Sequence, residues 1–186
     1  MSKYDIVVTL FTIVYGLAIT DLFLSFHKLI RSEKQVKWHW LPVLAAWYLF
    51  LVILKNWWDL VSFQGSTDWM NIYFFLAYGH LLLLIFLLVS VALPDEVQKK
   101  HLDLREYYFS VSRYFWGLMG GVIVLSVAIA LIKKLQVGGP IHWTNAIGNG
   151  IFLILTMILA VSKRYWLHAS LLIFLVLEVF LEIAGR

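Results

Sequence analysis

The stretch Tyr4–Ile30, YDIVVTLFTIVYGLAITDLFLSFHKLI, is apolar over a length that crosses a bilayer as a single helix. Wound at about 100° per residue, it gathers Asp5, Thr9, Thr12, Gly16, Thr20 and His27 on one narrow face, while Leu10, Val14, Leu17, Leu22 and Leu24 fall elsewhere. A polar stripe therefore runs along an otherwise apolar helix. Asp21 stands about a third of a turn from that stripe, which gives it a different neighbour.

The rest of the chain continues the pattern. Of 186 residues, 62% are hydrophobic and the mean hydropathy is +0.84, more apolar surface than one soluble core buries, so the lipid bilayer takes the remainder. The net charge of +4 is concentrated in short gaps between apolar runs, without a basic arm or an aromatic-basic groove motif, and no nucleic-acid partner is expected. The absence of cysteine removes disulfides, thiolate metal sites and Cys nucleophiles. Met1–Asp5 makes a poor positively charged leader and the following run lacks a small-residue cleavage site, so the first helix is expected to be retained.

Six spans follow from the apolar runs, at roughly 5–28, 41–62, 70–93, 110–132, 143–162 and 165–184, in one transmembrane domain over 1–186. The fold class is an all-α polytopic membrane protein. Trp38-His39-Trp40 and Trp57-Trp58 form aromatic belts at the ends of the second span, and Pro94 stops the third. The tight turn at Ser162–Tyr165 predicts that the last two helices are antiparallel neighbours. Between the third and fourth spans, PDEVQKKHLDLREYY places Val97, His101, Leu104 and Tyr108 on one face, which predicts a short interfacial helix rather than a charged loop.

The gaps after spans one, three and five hold ten Lys/Arg (Lys28, Arg31, Lys34, Lys37, Lys99, Lys100, Arg105, Arg113, Lys163, Arg164), against four (Lys3, Lys133, Lys134, Arg186) on the other side. The positive-inside rule puts the first set in the cytoplasm and both termini outside, with a bacterial inner (plasma) membrane as the expected location. HKLIRSEKQVKWHW after the first span and ALIKKLQVGGPIHW after the fourth are alike, which allows a 3+3 inverted repeat of the kind found in transporters. The alternative is coincidence in a chain with nine Trp.

Ionisable groups within spans are costly and are functional candidates by default. Asp21, His80 and Glu178 stand out, with Glu182 a turn beyond Glu178, while Lys55 lies where its stem can snorkel to the headgroups. A structural alternative for His80 is an imidazole bonded to a hydroxyl or carbonyl, and for Asp21 an interhelical bond. Span five adds His142, Asn145, Asn149, Thr156 and Lys163 at helical spacing, beside Gly148 and Gly150. That face and the Thr9/Thr12/Gly16/Thr20 face either line an aqueous path or form packing seams. Gly117 and Gly121, with Ser110 and Ala128, are assigned to helix packing of the GxxxG type.

No motif supports catalysis, and no cofactor or metal site is expected. His101 with Asp103 and Arg105 is the nearest approach to a lipid-modifying cluster. The expected function is a small channel or transporter for ions, protons or a small solute, built as a homo-oligomer because one small bundle encloses little volume. The alternative is a non-enzymatic sensor, effector or scaffold that perturbs the bilayer or anchors a partner through basic loops such as those holding Lys34, Lys37, Lys99 and Lys100.

Overall fold

The computed structural model describes residues 3–32, 35–62, 72–95, 101–137 and 143–185. Six helices follow in chain order: α1 (Lys3–Arg31), α2 (Trp40–Ser62), α3 (Ile72–Ala92), α4 (Leu104–Val137), α5 (Trp143–Val161) and α6 (Tyr165–Ala184). Five of them are long and apolar enough to cross a membrane, and the apolar part of α5, Ala146–Val161, is shorter. This is an all-α membrane protein.

Proline sets two of the boundaries. Pro42 sits in the first turn of α2, where a missing N–H costs nothing, and α3 ends two residues before Pro94. The first free donor of α2, the Leu41 N–H, is satisfied by His39 Nδ1 at 3.3 Å. At 34 residues α4 is about 51 Å long, well beyond a hydrocarbon core, so its first turns stand outside the apolar layer.

Between α3 and α4 the described residues show no separate interfacial helix: the last five residues of the stretch, 104–108, are the start of α4. Leu102 and Asp103 are instead a short strand, β2, paired in parallel with β1 (Val36–Lys37) in the register Val36↔Leu102 and Lys37↔Asp103. The cause is local: Asp103 accepts the Arg105 N–H at 2.8 Å and the Glu106 N–H at 3.3 Å, so it caps α4 and cannot continue a preceding helix. It also pairs with Lys37 Nζ at 2.8 Å. Residues 96–100 of that stretch lie outside the described residues. The strand pair marks one end of the bundle, called here the strand end.

The helices α1 to α4 form a kernel in which α1 packs on α2 and α3, and α4 on α3 and α2. The remaining two lie outside it, α5 on α4 and α6 on α2. Contacts fix the directions: the Tyr4 hydroxyl donates to the Leu60 carbonyl at 3.0 Å, Phe11 stacks on Phe75, and Tyr107 Oη donates to the Val91 carbonyl at 3.1 Å. A parallel course for α2 and α6 follows from Trp40 against Tyr165 at one end and Lys55–Glu182, 3.1 Å, near the other. The last two helices are thus joined by a tight connection but scarcely touch, contrary to the expectation that they pack as neighbours. Nor do the halves pack alike: α1, α2 and α3 contact one another pairwise, whereas α6 leaves its own half for α2, so the packing lends the inverted repeat no support.

Lipid tails are as apolar as leucine, so close packing rather than water exclusion holds such a kernel together. That packing is lopsided. The most completely buried large side chains include Leu29, Leu41, Leu88, Leu104, Trp116 and Leu172, and among the described residues the large apolar ones exposed by 2% or less, Ile53 and Leu175 apart, lie in the half of their helix nearer the strand end, or just beyond it. The two least open cavities occupy the middle and the other half, while a shallower outer groove runs past Ser110, Arg113, Tyr114 and Gly117 in the strand-end half of α4.

Candidate functional site

Each of the four kernel helices sends a short run of residues into one cavity of about 320 Å³. Phe11 and Tyr15, four apart, come from α1; Asn56 and Asp59, three apart, from α2; Tyr78, Leu81 and Leu82 from α3; and Ser126, Ile129, Ala130 and Lys133, one helical stripe, from α4. The cavity lies in the half away from the strand end. A carboxylate and an ammonium share its wall with two phenols and an amide. Lys55 stands outside it as a brace: its Nζ lies 3.6 Å from Asp59 and 3.1 Å from Glu182, tying α2 to α6. The expected snorkelling lysine is therefore an ion-paired one.

A second cavity of about 240 Å³ lies deeper, bounded by Tyr48 and Val52 of α2, Met119 and Ser126 of α4, Asn149 of α5 and Glu178 of α6, among others. Ser126 lines both cavities. Because α5 and α6 scarcely touch, Glu178 and Asn149 stand exposed at the gap between them. A carboxylate at that depth requires water or an opposite charge.

Beyond the second cavity the bundle closes on His168. Its imidazole is buried, and Nδ1 lies 3.0 Å from Trp116 Nε1 and 3.1 Å from Tyr108 Oη. Indole N–H can only donate, so Nδ1 accepts, and the hydrogen sits on Nε2, which donates to the Ser162 carbonyl at 2.9 Å. This hub ties α4 to α6 and to the α5–α6 connection. Next to it the Tyr165 ring lies edge-on to His39 and Trp40, with Arg105 Cζ 5.4 Å from its centroid.

Outside the apolar layer, charge and burial shift three groups. The Lys37 ammonium holds the Asp103 carboxyl below its usual value through their hydrogen bond, and Asp103 raises Lys37 in turn. Burial, then the Arg105 charge, lowers the His39 imidazole. Of the lipid-modifying cluster read from sequence, Asp103 is thus a helix cap and ion-pair partner, and His101 is exposed. Lys34, Lys99 and Lys100 lie outside the described residues.

The residues singled out from sequence separate into groups. Asn149 and Glu178 come together at the second cavity. Asn145 is in the first turn of α5, its side chain outside the described residues. Thr9, Thr12 and Thr20 are exposed on the outward face of α1: Thr9 donates to the Asp5 carbonyl and Thr20 to the Gly16 carbonyl, each at 2.7 Å, and Thr12 accepts from Trp57 Nε1 at 3.1 Å. Asp21 is half-buried one turn from Ser25, which donates to Asp95 at 2.9 Å, and lines neither cavity. His80 is exposed, bonded through Nδ1 to the Leu76 carbonyl at 2.7 Å, in an outer groove between α3 and α4. Gly121 meets Leu84 of α3, whereas Gly117 has open space where a side chain would be. Among the described glycines, the closest contact with another helix is made by Gly120, whose absent Cβ would stand 3.4 Å from Thr156 Oγ1.

Tyr15, Tyr78, Asp59, Ser126, Lys133 and His168 were not legible as site residues. Asp59 and Lys133 read as charges flanking a span, and a tyrosine inside an apolar run reads as core. The signal available was the Asn56–Asp59 spacing, which puts an amide and a carboxylate on one face of α2. Comparison with protein-family models, with characterised proteins and with solved structures returns no match for this chain.

Proposed function

We propose that this membrane protein is a small transporter or channel for an ion, a proton or a small polar solute, and that the two cavities joined at Ser126 are its path. The observation that carries the reading is the lopsided interior. Polar side chains follow one another from Asp59 and Lys133 through Tyr15, Tyr78 and Ser126 to Asn149 and Glu178, and beyond them the strand-end half is packed shut around Leu88, Trp116 and His168. A path entered from one side and sealed on the other fits alternating access better than an open pore. With the strand end in the cytoplasm, as the Lys/Arg count proposes, the path faces outward.

Asp21, His80, Asn145 and the Thr9/Thr12/Thr20 face enter the proposal as residues that could line a path only in another conformation or at a contact between copies. The proposal includes a homo-oligomer on the ground that exposed Glu178 and Asn149 face a gap that a second copy would cover, and it assigns the chain no reaction. A second reading, a scaffold or sensor, draws on the β1–β2 junction, which braces two loops on the basic end and presents Arg105 and Lys37 there.

The test is flux into proteoliposomes under imposed potential and pH gradients, with Glu178→Gln and Asp59→Asn beside the wild type. Flux that falls in the well-folded variants supports the path. Undiminished flux in both, or survival of all cellular function in both and its loss in Lys37→Gln with Arg105→Gln, shifts the reading to the scaffold.

A further inference from the structure

The cavity between the four kernel helices has a composition that selects among solutes. We propose that it binds a small zwitterion, an α-amino acid with a short aliphatic side chain, with Asp59 facing the ammonium and Lys133 facing the carboxylate. The inference rests on the reading of this cavity as the entrance to a transport path.

Charge balance in a half-buried cavity selects the solute. Among the described residues, the charged ones in the lining are Asp59 on α2, with Lys55 3.6 Å away, and Lys133 on α4, of opposite sign to Asp59. A lone cation drawn to Asp59 would be repelled by Lys133, and a lone anion drawn to Lys133 would be repelled by Asp59; neither leaves the site neutral. Coulomb energies grow as the effective dielectric falls, so that mismatch costs more here than at a water-exposed surface. A zwitterion adds no net charge and offers each wall its complement.

Neither group must be idle for this to work. A carboxylate has about four acceptor positions and an ammonium three donors, so Asp59 can hold Lys55 at 3.6 Å and still accept from a ligand. Tyr15 and Tyr78 add two aromatic rings to the wall, the kind of group that attracts an ammonium. Phe11 and Ile129 supply the apolar wall against which a short aliphatic side chain would lie. The volume, about 320 Å³, is ample for such a ligand.

Binding to the purified full chain in nanodiscs, measured by calorimetry and by the thermal shift of the protein, tests it with L-valine, isobutylamine and isobutyrate as probes. L-valine should bind and the two single-charge analogues should bind at least about tenfold more weakly. Asp59→Asn and Lys133→Gln, each checked for unchanged helicity, should each weaken L-valine by about tenfold or more. Lys133 stands on α4, apart from the Lys55 bridge to Asp59 and Glu182, so it keeps the test open if Asp59→Asn misfolds. The proposal is overturned if L-valine does not bind, if isobutylamine or isobutyrate binds as well, or if folded Lys133→Gln binds L-valine as the wild type does. Uptake of labelled L-valine by proteoliposomes separates the two claims: binding without uptake overturns the transport reading and keeps the site, and ion flux without L-valine binding does the reverse.

Discussion

Replacing His168 with leucine should cost the protein a large part of its stability, and the size follows from what the imidazole satisfies. His168 is fully buried, as is Trp116, and Tyr108 is 2% exposed. Leucine keeps roughly the bulk and removes both ring nitrogens. The Trp116 N–H and the Tyr108 hydroxyl then lose the one acceptor they share in a place water does not reach, at about 1–3 kcal/mol for each donor that the remaining Trp116–Tyr108 contact does not satisfy. The Ser162 carbonyl also loses its donor, but it lies in a connection at the bundle end, where water can replace it. With one or two donors unsatisfied, the expected loss is about 1–6 kcal/mol against a typical total of about 5–15 kcal/mol. Reversible unfolding in mixed micelles, followed by tryptophan fluorescence and circular dichroism, measures it. Adding Tyr108→Phe to His168→Leu removes one orphaned group and should return about 1–3 kcal/mol. A His168→Leu protein within about 0.5 kcal/mol of the wild type, the range of an ordinary surface change, would refute the hub.

Packing and pH supply the other predictions. Gly120→Val should push Thr156 and Leu153 away and loosen α5 from α4, at about 1–3 kcal/mol, whereas Gly117→Ala, which meets open space, should be tolerated; the same unfolding assay ranks them. Asp103→Ala removes the α4 cap and should cost about 1 kcal/mol. Acidification should lower stability in two steps. His39 is depressed in the folded protein, so its contribution is full above the ordinary histidine value of 6.5 and is lost as pH falls from there through the folded value. Asp103 is likewise depressed, and its contribution is full above the ordinary aspartate value of 3.8 and lost below it. Melting temperatures across pH should show the upper step abolished in His39→Gln and the lower one in Asp103→Asn.

The sequence reading located the six helices to within a few residues at most ends because each is an apolar run bounded by belts, glycine or proline. The start of α4 was the main departure. Its first turns are polar enough to resemble a separate surface helix, and nothing local shows that Asp103 would be held by Lys37 from another loop. The site was less legible for a similar reason. Thr9, Thr12 and Thr20 form a conspicuous stripe, but a hydroxyl on a helix can bond its own backbone and face lipid, as Thr9 and Thr20 do. Tyr15, Tyr78 and Ser126 face the interior without any mark in the pattern. Only the packing of four helices brings Asp59 and Lys133 to one cavity, and the choice of α6 for α2 over α5 is likewise a tertiary event. Glu178 and Asn149 were legible because a carboxylate or amide within an apolar span must be accommodated somewhere.

The junction of the two cavities is the point where the account is most exposed. Ser126→Leu places an apolar side chain between them without altering any ionisable group, and flux into proteoliposomes under an imposed gradient reads the effect directly. The account predicts that the wild type carries flux and that Ser126→Leu, with unchanged helicity and melting behaviour, carries little or none. Flux in Ser126→Leu equal to that of the wild type would contradict a path through this serine.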